Sequence, residues 1–226
     1  MDDYQQLITT LSLTMGVAWA SGINLYAAIA MLGILGTTGN VALPESLAVV
    51  QDPLVIGAAS LMYCIEFFAD KTPGVDTGWD AIHSFIRIPA GVMLAAGAVG
   101  DVSPPLVIAA GILGGTVSGL SHSIKAGSRV LINTSPEPFS NWVASFSEDI
   151  LVIGGLWTAL HYPVTFLVTL ACFILFAIWM LPKIFKGLKI IFRNIKNFFS
   201  SKKNQGPPIY EPLGSKTSSS KTKSLH

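Results

Sequence analysis

Charge is scarce in this sequence: Asp, Glu, Lys and Arg make up 12% of 226 residues, against 51% apolar ones. Soluble domains carry about twice that charged fraction, so a water-exposed globule is excluded. Cysteine is scarcer still. Cys64 and Cys172 both lie in apolar runs; they are too few for a disulfide framework, lack metal-site spacing, and read as small packing residues. There is no His-Glu-x-x-His, no nucleotide loop and no Ser-His-Asp ordering with supporting context. No catalytic residue and no cofactor are therefore assigned, and His122 beside its serines does not alter that. The N-terminus, Met1-Asp2-Asp3-Tyr4, is acidic where a secretory leader is basic, so the first apolar segment is expected to remain in the mature protein.

Basic residues are missing from most of the chain. Ten of the fourteen Lys and Arg follow residue 182, with only Glu211 opposing them. In this apolar context the basic end points to a membrane surface rather than to nucleic acid. Apolar runs at 5–36, 52–69, 80–101, 105–133 and 149–181 are long enough for spans of about 20 residues, and the last divides at His161-Tyr162-Pro163 into a short span near 149–161 and a fuller one near 163–181. Six crossings result if 5–36 and 105–133 each cross once; double crossing or re-entry of these two is the alternative. The first run, at 1.5 Å per residue, would extend roughly 48 Å if straight, so a tilt, kink or unwound stretch is expected. Loops 37–51, 102–104 and 161–163 hold no Lys or Arg, which places them outside and both termini in the cytoplasm.

An offset of 97 residues superposes Ser21-Gly22 on Ser118-Gly119 and Asp52-Pro53-Leu54-Val55-Ile56-Gly57 on Asp149-Ile150-Leu151-Val152-Ile153-Gly154. The expected fold is an all-α polytopic membrane bundle of about six spans, arranged as a 3+3 inverted repeat with two broken helices. Its parts are a first half-repeat at 1–104, a second at 105–182, a cytoplasmic amphipathic basic helix at 183–200 and a disordered tail at 201–226. Paired Gly-interrupted segments point to a midplane site, and close helix packing through small residues explains the same pattern equally well. The candidate substrate-binding residues are Ser21, Gly22, Asn24, Ser118, Gly119, His122, Lys125 and Arg129.

A second group lies toward the inner side: Glu66, Asp70, Asp80, His83 and Arg87. Charged groups at membrane depth are costly and usually pair within a bundle. Mutual ion pairing, a site for a small anion or lipid phosphate at His122, Lys125 and Arg129, and a weaker divalent-metal set of Asp70, Asp76, Asp80 and His83 all remain open.

The run Ala69-Asp70-Lys71-Thr72-Pro73-Gly74-Val75-Asp76, with Trp79-Asp80, His83 and Arg87-Ile88-Pro89-Ala90-Gly91, resembles the signature of an uncharacterised bacterial membrane family, domain of unknown function 4126. Ser118-Gly119, His122, Lys125-Ala126-Gly127, Arg129 and Ser135-Pro136-Glu137-Pro138 are similar to its second half. The resemblance covers roughly residues 5–180 and implies a protein of the bacterial inner membrane, with no activity attached. Beyond it, Phe185, Leu188, Ile191, Phe192, Ile195, Phe198 and Phe199 face away from Lys183, Lys186, Lys189, Arg193 and Lys196 in helical register. Such a helix lies on anionic lipid headgroups. The functional expectation is a small-solute, ion or lipid transporter with a site between the halves, or else a non-catalytic membrane scaffold.

Overall fold

The computed structural model describes residues 2–134 and 138–203. Among these there is no strand. The elements in order are α1 (Asp2–Thr37), a 3-10 segment (Glu45–Gln51), α2 (Pro53–Ala69), α3 (Val75–Ala98), α4 (Pro104–Ile132), α5 (Pro138–His161) and α6 (Pro163–Lys203). Local chemistry accounts for the starts. Asp52 caps α2 by accepting from the Leu54 N–H at 2.8 Å, with Pro53 in the first turn, where a missing N–H costs nothing. Gly74, at φ +85, turns the chain into α3.

Five of these helices are long and apolar enough to cross a membrane; α2 and the 3-10 segment, bent by 63°, qualify as a pair. The protein is a multi-pass α-helical membrane bundle. Helix α1 forms its axis: Val17, Ala18, Ala20, Ala28 and Leu32 are fully buried. Helix α6 turns Leu175, Phe176, Ile178 and Trp179 outward, as a lipid-facing helix does, while Phe166 and Phe173 pack edge-on against Trp19 of α1.

Four expectations change. Helix α5 starts at Pro138, so the short span near 149–161 is the second half of a 24-residue helix and Glu148 lies inside it. Helix α4 continues through Ser118-Gly119; only α1 is broken. The basic segment 183–200 is not a separate helix but the continuation of α6 through Lys203. The body spans Met1–Lys189, and Ile190 begins a separate unit. Residues 135–137 of the Ser135-Pro136-Glu137-Pro138 loop, and 204–226 of the expected tail, lie outside the described residues.

The repeat survives at one point and fails at another. Ser21 and Ser118, paired by the 97-residue offset, face each other with their hydroxyls 3.1 Å apart. A contact between equivalent positions is what a two-fold axis through that point produces. Asp52 and Asp149 are not equivalent: the first is an exposed helix cap, whereas the second is buried inside α5.

Candidate functional site

The break in α1 falls at Asn24, whose φ of −145° and ψ of 93° leave the helical region. In a continuous helix the Ala27 N–H would bind the Ile23 carbonyl. Here Ala27 N donates to Asn24 Oδ1 at 3.0 Å instead. Asn24 thereby caps the second segment of α1, as an N-cap residue does at a helix start, and Ile23 O loses its intrahelical donor. The ammonium of Lys125, from α4, donates to that carbonyl at 3.0 Å. A cation at a carbonyl-rich helix end is electrostatically favourable. The Asn24 amide also donates to Asp149 Oδ1 of α5 at 3.2 Å.

Lys125 is the hub of a buried charge network. It donates to Glu66 Oε1 at 3.1 Å and Asp70 Oδ2 at 2.8 Å; Asp80 Oδ1 lies at 3.7 Å and Glu148 Oε2 at 3.5 Å. Arg87 of α3 donates to Asp80 Oδ1 at 3.1 Å and to Glu66 Oε1. Arg129 of α4 holds Glu148 with two N–H groups, at 3.2 and 2.7 Å. It also donates to the Asp70 carbonyl at 2.9 Å, at the end of α2, and to the Asn141 carbonyl at 3.2 Å. Four carboxylates thus face three cations. Glu66, Arg87 and Arg129 have no solvent exposure.

Part of the hydrogen-bond capacity is unused. The three protons of Lys125 are matched by Ile23 O, Glu66 and Asp70, and Arg129 has a partner for each of its nitrogens. Among the described residues, Glu66 Oε2, Asp70 Oδ1 and Asp80 Oδ2 are buried without a partner, and so is Arg87 Nε. The network thus keeps unused acceptors on three carboxylates and unused donors on Arg87, whose guanidinium makes two hydrogen bonds with five N–H groups to give. Lys125 and Arg129 have their donors engaged.

The other expected residues go elsewhere. Ser21, Gly22, Ser118 and Gly91 of α3 form a close-packed crossing. A Cβ on Gly22 would overlap the Ser118 carbonyl and the Ser121 hydroxyl, and one on Gly91 would overlap the Ser118 side chain. The Ser118 hydroxyl also donates to Arg87 O at 3.0 Å. This is small-residue helix packing, and no substrate fits between these positions. Gly119 is loose, with Ile88 Cδ1 3.8 Å from its Cβ position as nearest neighbour. His122 leaves the Lys125–Arg129 stripe for Ser84, 2.6 Å from its Nε2. His83 faces Trp79 O at 2.8 Å and the Tyr26 hydroxyl at 3.1 Å; with Nδ1 donating to the carbonyl, Nε2 accepts from Tyr26.

The metal set separates as well. Asp76 accepts from the Asn133 amide at 2.8 Å and from backbone N–H groups of the α2–α3 turn, away from Asp70, Asp80 and His83 with their own partners. No group of three metal-binding side chains converges among the described residues.

Beside the network, in the α2–α3 turn, the Lys71 ammonium lies 2.9 Å from the Phe67 ring centroid and 4.6 Å from that of Phe146, donating to Ser145 Oγ at 3.2 Å. Desolvation pushes this ammonium below the usual lysine value, while Asp149 and Asp70 oppose the shift. Sequence reasoning passed over Glu148, Asn133 and Asn141, because the segment before residue 149 reads as a loop. Pro138 as a first-turn residue was the available signal.

A cavity of about 230 Å³ opens onto the network from the α4–α5–α6 side. Lys125 and Glu148 line it together with Ser121, Ser128 and Ser147. An apolar groove of about 470 Å³, lined by Trp19, Gly155 and Phe166, lies alongside and shares Ile23, Leu151 and Phe173 with it.

A broken axial helix, a buried ion network and a side cavity define a class: multi-pass α-helical membrane proteins with a buried polar site. The family description "Domain of unknown function (DUF4126)" matches residues 11–183, and the chain belongs to that family. No curated protein and no solved structure matches the chain.

Proposed function

We propose that this protein is a carrier for a small cation, a proton or a monovalent metal ion, that works through the buried network between the two halves. One observation carries the reading: a buried network sets four carboxylates against three cations and leaves Glu66 Oε2, Asp70 Oδ1 and Asp80 Oδ2 without partners. Ionisable groups at membrane depth are expensive and normally mark ion or proton pathways. Carbonyls freed at a helix break contribute ligands to coupling-ion sites in many carriers, and Ile23 O is such a carbonyl. On six crossings, the Lys and Arg distribution favours both termini in the cytoplasm, and the bacterial inner membrane is what the family resemblance implies. The basic end of α6 would then meet anionic headgroups.

Purified protein in liposomes carrying an internal pH dye, under imposed proton, sodium or potassium gradients, tests this. The expected result is dissipation of at least one gradient, lost in Glu66→Gln. Leakage equal to that of empty liposomes for all three ions contradicts it. The second reading, a static membrane scaffold, is favoured by the close packing at Ser21, Gly91 and Ser118. It requires Glu66→Gln to alter assembly or abundance alone.

A further inference from the structure

The two ends of α1 meet at one face of the bundle. Gln6 and Thr10, near its start, line a cavity of about 420 Å³ together with Leu43 and Pro44, just past its end, and Val99 and Gly100, just past the end of α3. A straight helix of 36 residues would hold its ends roughly 54 Å apart. The first arm, as far as Ile23, enters the bundle beside α4 and in the same direction: Ala18 packs near Gly114, Ser21 meets Ser118 and Ile23 O accepts from Lys125. It runs against α5, where Ser12 Oγ donates to Ala159 O at 2.7 Å and the Asn24 amide donates to Asp149. After Asn24 the second arm comes back. Gly33 is packed against Val50 O and Ile56, and Gly36 against Gln51 and Leu43. The 3-10 segment rests on the last turn of α3, with Ser46 Oγ donating to Gly97 O at 2.6 Å, beyond the layer in which Ala18, Ala95 and Gly114 pack. We propose that α1 is a re-entrant hairpin entering from the external face with its tip at Asn24, so that the chain crosses the membrane five times and its N-terminus lies outside.

Length, tip contacts and charge support this separately. The second arm, residues 25–37, extends roughly 20 Å at 1.5 Å per residue, short of a hydrocarbon core of about 30 Å. Non-helical backbone at membrane depth persists only where protein or a water-filled cavity satisfies it. The tip has one holding contact from each of three helices: Lys125 of α4 on Ile23 O, Asp149 of α5 on the Asn24 amide, and His83 of α3 on the Tyr26 hydroxyl at 3.1 Å. Both arms are shielded from lipid, with Val17, Ala18 and Ala20 of the first and Ala28 and Leu32 of the second fully buried. Charge fixes the side. Residues 3–13, 38–52, 99–103 and 161–163, at the face that holds the ends of α1, contain no Lys or Arg. The opposite face carries Lys71 in the α2–α3 turn and Lys183, Lys186 and Lys189 around Ile184, which packs on Gly127 of α4. Lys and Arg mark the cytoplasmic side. With α2, α3, α4, α5 and α6 crossing, one crossing fewer than six places the N-terminus opposite that basic end of the body. The hairpin then closes the external side of the charge network.

This topology stands or falls independently of the carrier reading, because it is read from labelling and not from flux. In a chain with Cys64→Ala and Cys172→Ala, single cysteines are placed at four exposed positions, Tyr4, Asn40, Thr72 and Lys186. Bacterial spheroplasts holding each variant are treated with a membrane-impermeant maleimide before and after permeabilisation. The expected result is labelling of Tyr4→Cys and Asn40→Cys in intact spheroplasts, and of Thr72→Cys and Lys186→Cys only once the membrane is opened. Tyr4 and Asn40 labelled from opposite sides, or Tyr4 from the side of Lys186, overturns the proposal. Where the cysteine-free chain is not recovered, an epitope tag at the N-terminus of the wild-type chain replaces it: antibody binding to intact spheroplasts supports the hairpin, and binding only after permeabilisation overturns it. Cation flux with a cytoplasmic N-terminus leaves the carrier and removes the hairpin; an external N-terminus without flux does the reverse.

Discussion

Helices α1 and α4 begin the two halves of the chain, and they have diverged in opposite directions. Helix α1 is broken at Asn24, carries no Lys or Arg, and supplies a carbonyl to the Lys125 ammonium. Helix α4 is continuous and supplies the cations Lys125 and Arg129. Where they cross, Ser21 meets Ser118 and Gly22 is packed against the α4 backbone, yet Gly119, which the 97-residue offset pairs with Gly22, has room to spare. A duplication that keeps its crossing point can let one copy lose a hydrogen bond and the other gain the group that replaces it. The defect and its remedy then belong to different halves, and the halves depend on each other.

That dependence can be broken in graded steps. The largest effect is expected at Arg87, where Arg87→Met leaves Asp80 and Glu66 short of a buried partner. Removing one member of such a pair costs about 3–5 kcal/mol, read as loss of Tm or of folded yield in detergent. Gly22→Ala comes next, since its methyl meets Ser118 backbone rather than a flexible tip; overpacking of this kind costs about 1–3 kcal/mol. Lys71→Met removes the ammonium from between Phe67 and Phe146. A cation–π contact at a site of this kind contributes about 1 kcal/mol, so a loss of that order in denaturant titration is expected. Gly119→Ala should be the mildest, neutral or stabilising by up to about 1 kcal/mol, because alanine is the better helix former and nothing obstructs it. Equal costs at Gly22 and Gly119 would erase the asymmetry between the two crossing helices.

Much of the fold was legible in the sequence, for identifiable reasons. Long apolar runs separated by Pro and Gly mark α1, α2 and α4 almost to their ends, whereas α3 begins at Val75, ahead of its run at 80–101, and α6 continues past 181 to Lys203. The start of α5 was missed because its first turns are polar: Asn141 and Ser145 look like loop and are in fact buried side chains turned to the interior. A break in α1 was legible, but Ser21-Gly22 marked it too early: the residue that leaves the helical region is Asn24. Its supposed twin at Ser118-Gly119 was not a break, since a Ser-Gly pair within a helix serves packing as readily as unwinding. The sequence groups Asp80 with Arg87 and Lys125 with Arg129, and both pairs enter the network. It placed His83 and His122 with them too, and there it misled. One helical turn gives a common face but not a common partner, and both imidazoles rotate toward hydroxyls on neighbouring helices.

The central claim is that the Asn24 break and the Lys125 ammonium form one unit, and a double-mutant cycle addresses it most directly. Asn24→Leu allows the Ala27 N–H to return to Ile23 O; Lys125→Met removes the external donor from that carbonyl. With both single variants and the pair unfolded in detergent, the account predicts a coupling energy of about 1–3 kcal/mol, the pair being less damaged than the sum. Additivity within about 0.5 kcal/mol would mean that the broken helix and the lysine are neighbours without being partners.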